Sequence, residues 1–202
     1  SFLQVNSLQA SYLYKRVREL LGRGPFNAGL DLYSGVGLIA MHMAASTKKI
    51  LAVEEVGPAA LEAMTAARRN RVSNILELCA DSLEGVGTFS SEWGAPDWVV
   101  LNPPRGGCDE QVLDAVAAKA PRRLVYVSCG PKSLARDIKL LQAKQPGFKI
   151  KAIEPVDMFP QTEHTECLVL LENESYQKGL AGKAKGTKIR MKGARSKSRP
   201  LH

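Results

Sequence analysis

No apolar run in this chain approaches the about 20 residues needed to cross a bilayer, and no charged-then-apolar leader opens it. The reading is of a protein without membrane attachment. The four cysteines, Cys79, Cys108, Cys129 and Cys167, stand apart, with neither the C-x-x-C pairing of a zinc site nor the density of a secreted disulfide scaffold. This leads us to expect no metal in the chain and a reduced, cytoplasmic compartment. Aromatic residues are scarce at 6 %, while 45 % of the 202 residues are apolar, which is ordinary for one globular domain with a substantial core. No internal repeat is present. An initial methionine is also missing, so a further portion upstream is expected.

Acidic residues are almost absent from the C-terminus. Beyond residue 172, nine Lys or Arg face one acid, Glu174, a balance of +8 that equals the net charge of the whole chain; the other 172 residues hold 19 bases and 19 acids. Residues 173–202 are rich in Gly, Lys and Ser and carry few large apolar side chains, so they cannot bury enough surface to fold alone. We expect them to be disordered. Such a tail is either a solubilising appendage or an arm for the phosphates of a nucleic acid.

The rest of the chain is organised around Leu30 to Ala40, LDLYSGVGLIA. A short apolar segment carrying Asp31 runs into Gly35 and Gly37, then into an apolar run that reads as a helix start. A strand that ends in glycines before a helix brings backbone N–H groups and a helix N-terminus to the sheet edge, where a cofactor can sit. Glu54 ends the next apolar segment about twenty residues on, where an α/β sheet places an acidic acceptor for a ribose. The third glycine of a dinucleotide loop is lacking, because position 40 is alanine. A single adenosyl group fits better than a dinucleotide.

In chain order, Ser7 to Leu21 predicts an amphipathic helix with Leu8, Tyr12, Val17, Leu20 and Leu21 near one face, Ser7 as N-cap and Gly22 as stop. Strands are predicted over 30–34, 50–54, 75–79, 98–101, 124–127, 148–156 and 167–171, and helices over 58–71, 109–120 and 132–142. The link 157–166 is too short for a crossover helix, so the last strand should pair antiparallel. The expectation is a doubly wound α/β sheet of seven mostly parallel strands with helices on both faces. In such a sheet the strand-end residues Asp31, Glu54, Asp81, Asn102 and Cys129 should converge on one cleft.

Two of these residues stand in local contexts that suggest chemistry. Asn102 opens NPPR after the apolar run WVVL, and the two prolines hold the backbone extended so that the asparagine is presented at the sheet edge. Arg105 occupies the place where base-amino methyltransferases carry an aromatic residue, and could stack or bind phosphate. Cys129, in VYVSCGPKS, ends a strand before a Gly-Pro helix start; a thiol near a positive helix end can have a lowered pKa and act as a nucleophile. Cys79 and Cys167 read as small buried hydrophobes.

FLQVN (2–6), DLYSGVG (31–37), VLNPPRGGCD (100–109), VYVSCGPKSLARD (125–137) and PVDMFPQTEHTECLVLL (155–171) together resemble the catalytic domain of the RNA uracil-5-methyltransferases. The resemblance covers residues 1–172. It implies a Rossmann-like class I methyltransferase domain that uses S-adenosylmethionine to make 5-methyluridine in tRNA or rRNA. It further implies that Gln4, Tyr33, Gly35, Gly37, Glu54, Asp81 and Asn102 hold the cofactor, that Cys129 is the nucleophile and that Glu166 is the base; Asp31, by its strand-end position, and Arg105, by its place after NPP, join them as candidate cofactor and substrate contacts. The family commonly carries an upstream RNA-binding domain. This chain departs from the family's usual residues at Asn102 (commonly Asp), Gly130 (commonly Asn) and Glu163 (commonly His), and keeps both the cysteine and the glutamate. Two rival readings remain: an amino-group base methyltransferase using Asn102, and a non-catalytic RNA-binding fragment.

Overall fold

The computed structural model describes residues 7–157 and 165–176, with side chains from residue 10 onward. Gln4, Glu163 and all nine tail cations lie outside the described residues. Along the chain run α1 (Ser7–Leu21), β1 (Phe26–Leu32), α2 (Leu38–Met43), β2 (Thr47–Glu54), α3 (Gly57–Arg69), β3 (Ile75–Cys79) and α4 (Ser82–Thr88). They continue with β4 (Trp98–Leu101), α5 (Glu110–Lys119), β5 (Arg123–Ser128), α6 (Pro131–Lys144), β6 (Phe148–Val156) and β7 (Glu166–Asn173).

The strands form one sheet in the order β3-β2-β1-β4-β5-β7-β6. β1 to β5 pair parallel, and β7 runs antiparallel between β5 and β6, as the short link required. Central strands are apolar on both faces, as a sheet covered on both sides demands. With period-two alternation, Leu30, Leu51, Val99, Leu124 and Tyr126 meet the layer containing α5 and α6. Ile50, Ala52, Trp98, Val100 and Val125 meet the layer of α1 and α2.

Helix α1 buries Ala10, Leu13, Val17 and Leu21, at helical spacing, and ends at Gly22, whose φ of 96° suits the left-handed stop. Tyr12, expected on the apolar face, is 50 % exposed instead, because Leu13 holds the centre of the stripe. Strand β1 begins four residues earlier than the apolar pattern suggested. The cause is remote in sequence: Asp97 Oδ2 accepts the N–H groups of Asn27 (2.5 Å) and Ala28 (3.3 Å), pinning the polar start of the strand. At mid-strand, a Cβ on Gly29 would collide with the Trp98 indole, whose Nε1–H donates to Thr47 Oγ1 at 3.1 Å. Helix α4, absent from the sequence reading, contains two glycines that disfavour a helix. Gly85 is there because Val53 packs where its side chain would be.

Candidate active site

Strand β1 is flanked by β2 on one side and by β4 on the other, so the chain reverses its winding direction there and leaves a crevice at the carboxyl ends of the strands. A cleft of about 510 Å³ opens at that point. Of the residues singled out in the sequence, Tyr33, Gly35, Glu54, Asn102, Arg105, Cys129 and Glu166 all line it.

The turn after β1 takes an unusual path, with φ of 58° at Tyr33, 57° at Gly35 and 75° at Gly37. Glu54 stabilises that path from the neighbouring strand end. Its Oε2 accepts the Gly35 N–H at 2.7 Å and its Oε1 accepts the Val56 N–H at 2.9 Å, so one carboxylate ties the glycine loop to the turn after β2. Beside Glu54, Val56 is half exposed and joins Ala59, Leu38 and Ile39 in an apolar wall. A charged acceptor next to an apolar wall is suited to a nucleoside, whose sugar donates hydrogen bonds and whose base is flat and weakly hydrated.

Gly37, Asp31 and Asp81 do not line this cleft. Gly37 caps α2 from behind the wall, where a Cβ would press on Ala63 and on the Glu77 carboxylate. Asp31 is fully buried on β1, with Oδ2 accepting the Ala40 N–H at 3.0 Å and Oδ1 without a partner among the described residues. Burial, with the charges of Glu77 and Glu54 added and the Ala40 bond opposing, pushes its carboxyl up to about 8. Asp81 is exposed and serves as N-cap of α4, accepting the Glu84 N–H at 2.9 Å. A strand-end position was therefore not sufficient to predict contact with the cleft.

Opposite the glycine loop, the ladder between β5 and β7 pairs Ser128 with Cys167. Because those strands are antiparallel, the residue after Ser128 and the residue before Cys167 fall side by side: Cys129 and Glu166. Ser128 shapes the turn, its Oγ accepting the Gly130 N–H at 3.0 Å and donating to the Gly130 carbonyl at 3.2 Å. Burial first, and the Glu166 charge second, push the Cys129 thiol up, while Arg105 opposes them. This corrects the expectation of a lowered thiol pKa. Burial likewise raises the Glu166 carboxyl.

The sequence reading missed Tyr14, which lines the cleft from α1 and whose ring lies 5.5 Å from that of His42. Its only signal was its place next to Leu13 at the margin of the buried stripe. It also missed the apolar wall of Val56 and Ala59, since an exposed valine after a strand has no distinctive spacing.

Strand order and cleft together define a Rossmann-like methyltransferase fold. An N-methyltransferase, NodS from Bradyrhizobium japonicum, shares it at 17 % identity with a TM-score of 0.66, over 83 % of this chain and 98 % of that one. The family model for tRNA (uracil-5-)-methyltransferase matches residues 1–174, and the chain belongs to that family. The crystal structure of Pyrococcus abyssi tRNA (uracil-54, C5)-methyltransferase in complex with S-adenosyl-L-homocysteine is 32 % identical, with a TM-score of 0.71 over 85 % of this chain and 40 % of that one. An uncharacterized RNA methyltransferase of Bacteroides thetaiotaomicron is 40 % identical over 85 % of this chain and 37 % of its own length. The chain thus spans a little over a third of the curated relatives it matches.

Proposed function

We propose that this chain is the catalytic domain of an enzyme that methylates C5 of a uridine in tRNA or rRNA. The observation that carries the reading is the meeting, in one cleft, of a nucleoside-suited half (Gly35, Glu54, Val56) and a cysteine–carboxylate half (Cys129, Glu166). S-adenosylmethionine, when bound, supplies an electrophilic methyl group on a sulfonium. The residues present fit it: Glu54 can accept from the ribose, and Val56, Ala59 and Ile39 can cover the adenine.

Uracil C5 is a weak nucleophile. Cys129, once it has lost its proton, adds through sulfur to C6, and the electron pair displaced from the C5–C6 double bond makes C5 nucleophilic. After C5 has gained the methyl group, Glu166 takes the C5 proton, the double bond re-forms and the C6–sulfur bond breaks, returning the thiolate. Both groups must reach the face and edge of one base, so the base must leave its stack. Arg105 and Asn102, at the end of the neighbouring strand β4, are the groups offered to that base. The family's usual upstream RNA-binding domain would contribute to RNA affinity.

The two halves of the reaction can be separated. With RNA containing 5-fluorouridine and S-adenosylmethionine, the native chain is expected to form a stable covalent adduct, visible as an RNase-sensitive shifted band under denaturing conditions. Cys129→Ala should form neither adduct nor product. Glu166→Gln on ordinary RNA should add and methylate, then stall with methylated RNA attached. Full turnover by Cys129→Ala would sink the mechanism and favour amino-group methylation. Absence of adducts and product from every form of the chain, native included, would favour a binding module.

A further inference from the structure

Between β4 and α5, the segment that carries Asn102 and Arg105 makes its last bond to the sheet at Asn102, whose N–H donates to the Leu32 carbonyl at 3.3 Å, and beyond it the backbone groups of residues 105–108 are engaged by a single helix. Ser133 Oγ donates to the Arg105 carbonyl at 2.9 Å. Arg136 Nη2 donates to the carbonyls of Gly106 and Cys108, both at 3.1 Å. Asp137 Oδ2 accepts the Cys108 N–H at 2.8 Å. All three side chains belong to the first two turns of α6, which starts two residues after Cys129.

Asp137 is the innermost of the three and is fully buried. Its charge is met by the Arg136 guanidinium, with Nε 2.7 Å from Oδ1, and by the Tyr126 hydroxyl at 2.5 Å from Oδ2. A buried carboxylate with this many donors is costly to disturb, because removing one partner leaves a desolvated charge. On the near side, Gly130 has no room for a side chain: a Cβ there would stand 2.6 Å from the Arg105 carbonyl oxygen. The Arg105 backbone therefore rests directly on the residue that follows Cys129.

We propose that Ser133, Arg136 and Asp137 are positioning residues that hold the 102–108 segment in register with the end of β5, and so keep Arg105 on the wall of the cleft that Cys129 also lines. The inference rests on the reading of Cys129 as the nucleophile. Among the described residues, Arg105 supplies the one positive side chain on the cleft wall, set against the negative charges of Glu54, Glu55 and Glu166. A cation on a flexible loop would spend much of its time in solvent. Fixing its backbone at three successive points holds the charge where a thiolate must form.

The test is the pH dependence of Cys129 alkylation by iodoacetamide, followed on the Cys129 peptide by mass spectrometry in the intact 202-residue chain. It needs neither RNA nor cofactor. The variants are Arg105→Ala, which removes the cation; Arg136→Gln and Ser133→Ala, which cut the hold from the exposed side; and Arg105→Ala combined with Arg136→Gln. Thiolate fraction falls about tenfold for each unit by which the thiol pKa rises, at pH below it. Arg105→Ala and Arg136→Gln should each slow alkylation at pH 7 by about three- to tenfold, with the profile displaced to higher pH. Ser133→Ala should do so by a smaller factor, and the double variant should be no slower than Arg105→Ala alone. An unchanged profile in Arg105→Ala overturns the proposal. So does an unchanged profile in both Arg136→Gln and Ser133→Ala, or an additive loss in the double variant. Failure of the native chain to methylate RNA, with these shifts intact, would count against the proposed function and leave the positioning role standing.

Discussion

Asp31 sits near the end of an apolar strand with one oxygen unpaired among the described residues, and its ionisation is opposed by burial and by two other carboxylates. The folded state therefore keeps a proton that the unfolded chain releases near its ordinary value of 3.8. Since the folded state binds more protons in between, the contribution of Asp31 to stability should fall as pH rises from about 4 to about 8, then level off, at up to about 1.4 kcal/mol for each pH unit crossed. Glu77, pushed up to about 7 by burial, adds to the same slope. Asp31→Asn keeps an acceptor for Ala40 and cannot ionise, so urea unfolding between pH 5 and 9 should show a shallower decline than the native chain. Equal slopes would assign the decline elsewhere. Glu54 acts differently, because its carboxylate is already engaged by Gly35 and Val56. Glu54→Ala should weaken S-adenosylmethionine binding by about 1–3 kcal/mol, through a lost acceptor and a loosened loop, and titration calorimetry would read it. Identical affinities would take Glu54 out of the site.

At the scale of elements, what could be read in the sequence followed from local chemistry. Strands β3, β4 and β6 and helix α1 carry their periodicity and stop signals within themselves, and their boundaries match the expected ones. Strand β1 and helix α4 do not. The first is extended by Asp97, about seventy residues away, and the second tolerates Gly85 because Val53 fills the space. In both, a tertiary contact outweighs local propensity. The same contacts predict where the fold is least tolerant. Gly29→Ala places a methyl group inside the Trp98 indole at the junction of β1 and β4, and should destabilise the chain by about 1–3 kcal/mol or more, measured by chemical denaturation. Gly87→Ala, on the same α4 as the crowded Gly85, meets nothing within 4 Å and should be stabilising or neutral, an internal control for helix propensity.

Over the whole molecule, convergence on a cleft was legible because parallel strands bring their carboxyl ends to one edge whatever their order. Which strand-end residues face the cleft was not legible. Asp31 points into the core and Asp81 turns back to cap a helix, and neither fact leaves a mark on spacing. The Cys129–Glu166 neighbourhood was implied only by resemblance, and its physical basis is the reversed strand β7.

That strand is inserted into the sheet between β5 and β6, although it comes after both in the chain. During synthesis, β5 therefore waits as an open edge with the backbone groups of residues 123–128 unpaired, and β6 has no sheet to join until residues 166–173 emerge. An unpaired apolar edge of this kind is a template for association with other chains. Nascent or truncated forms ending before residue 166 should be captured by chaperones or aggregate, while forms ending after 176 should be released as soluble protein; ribosome-release fractionation of the two lengths would reveal the difference. The meeting of Cys129 with Glu166 and escape from aggregation would then be gained in a single event, when the last strand closes the ladder.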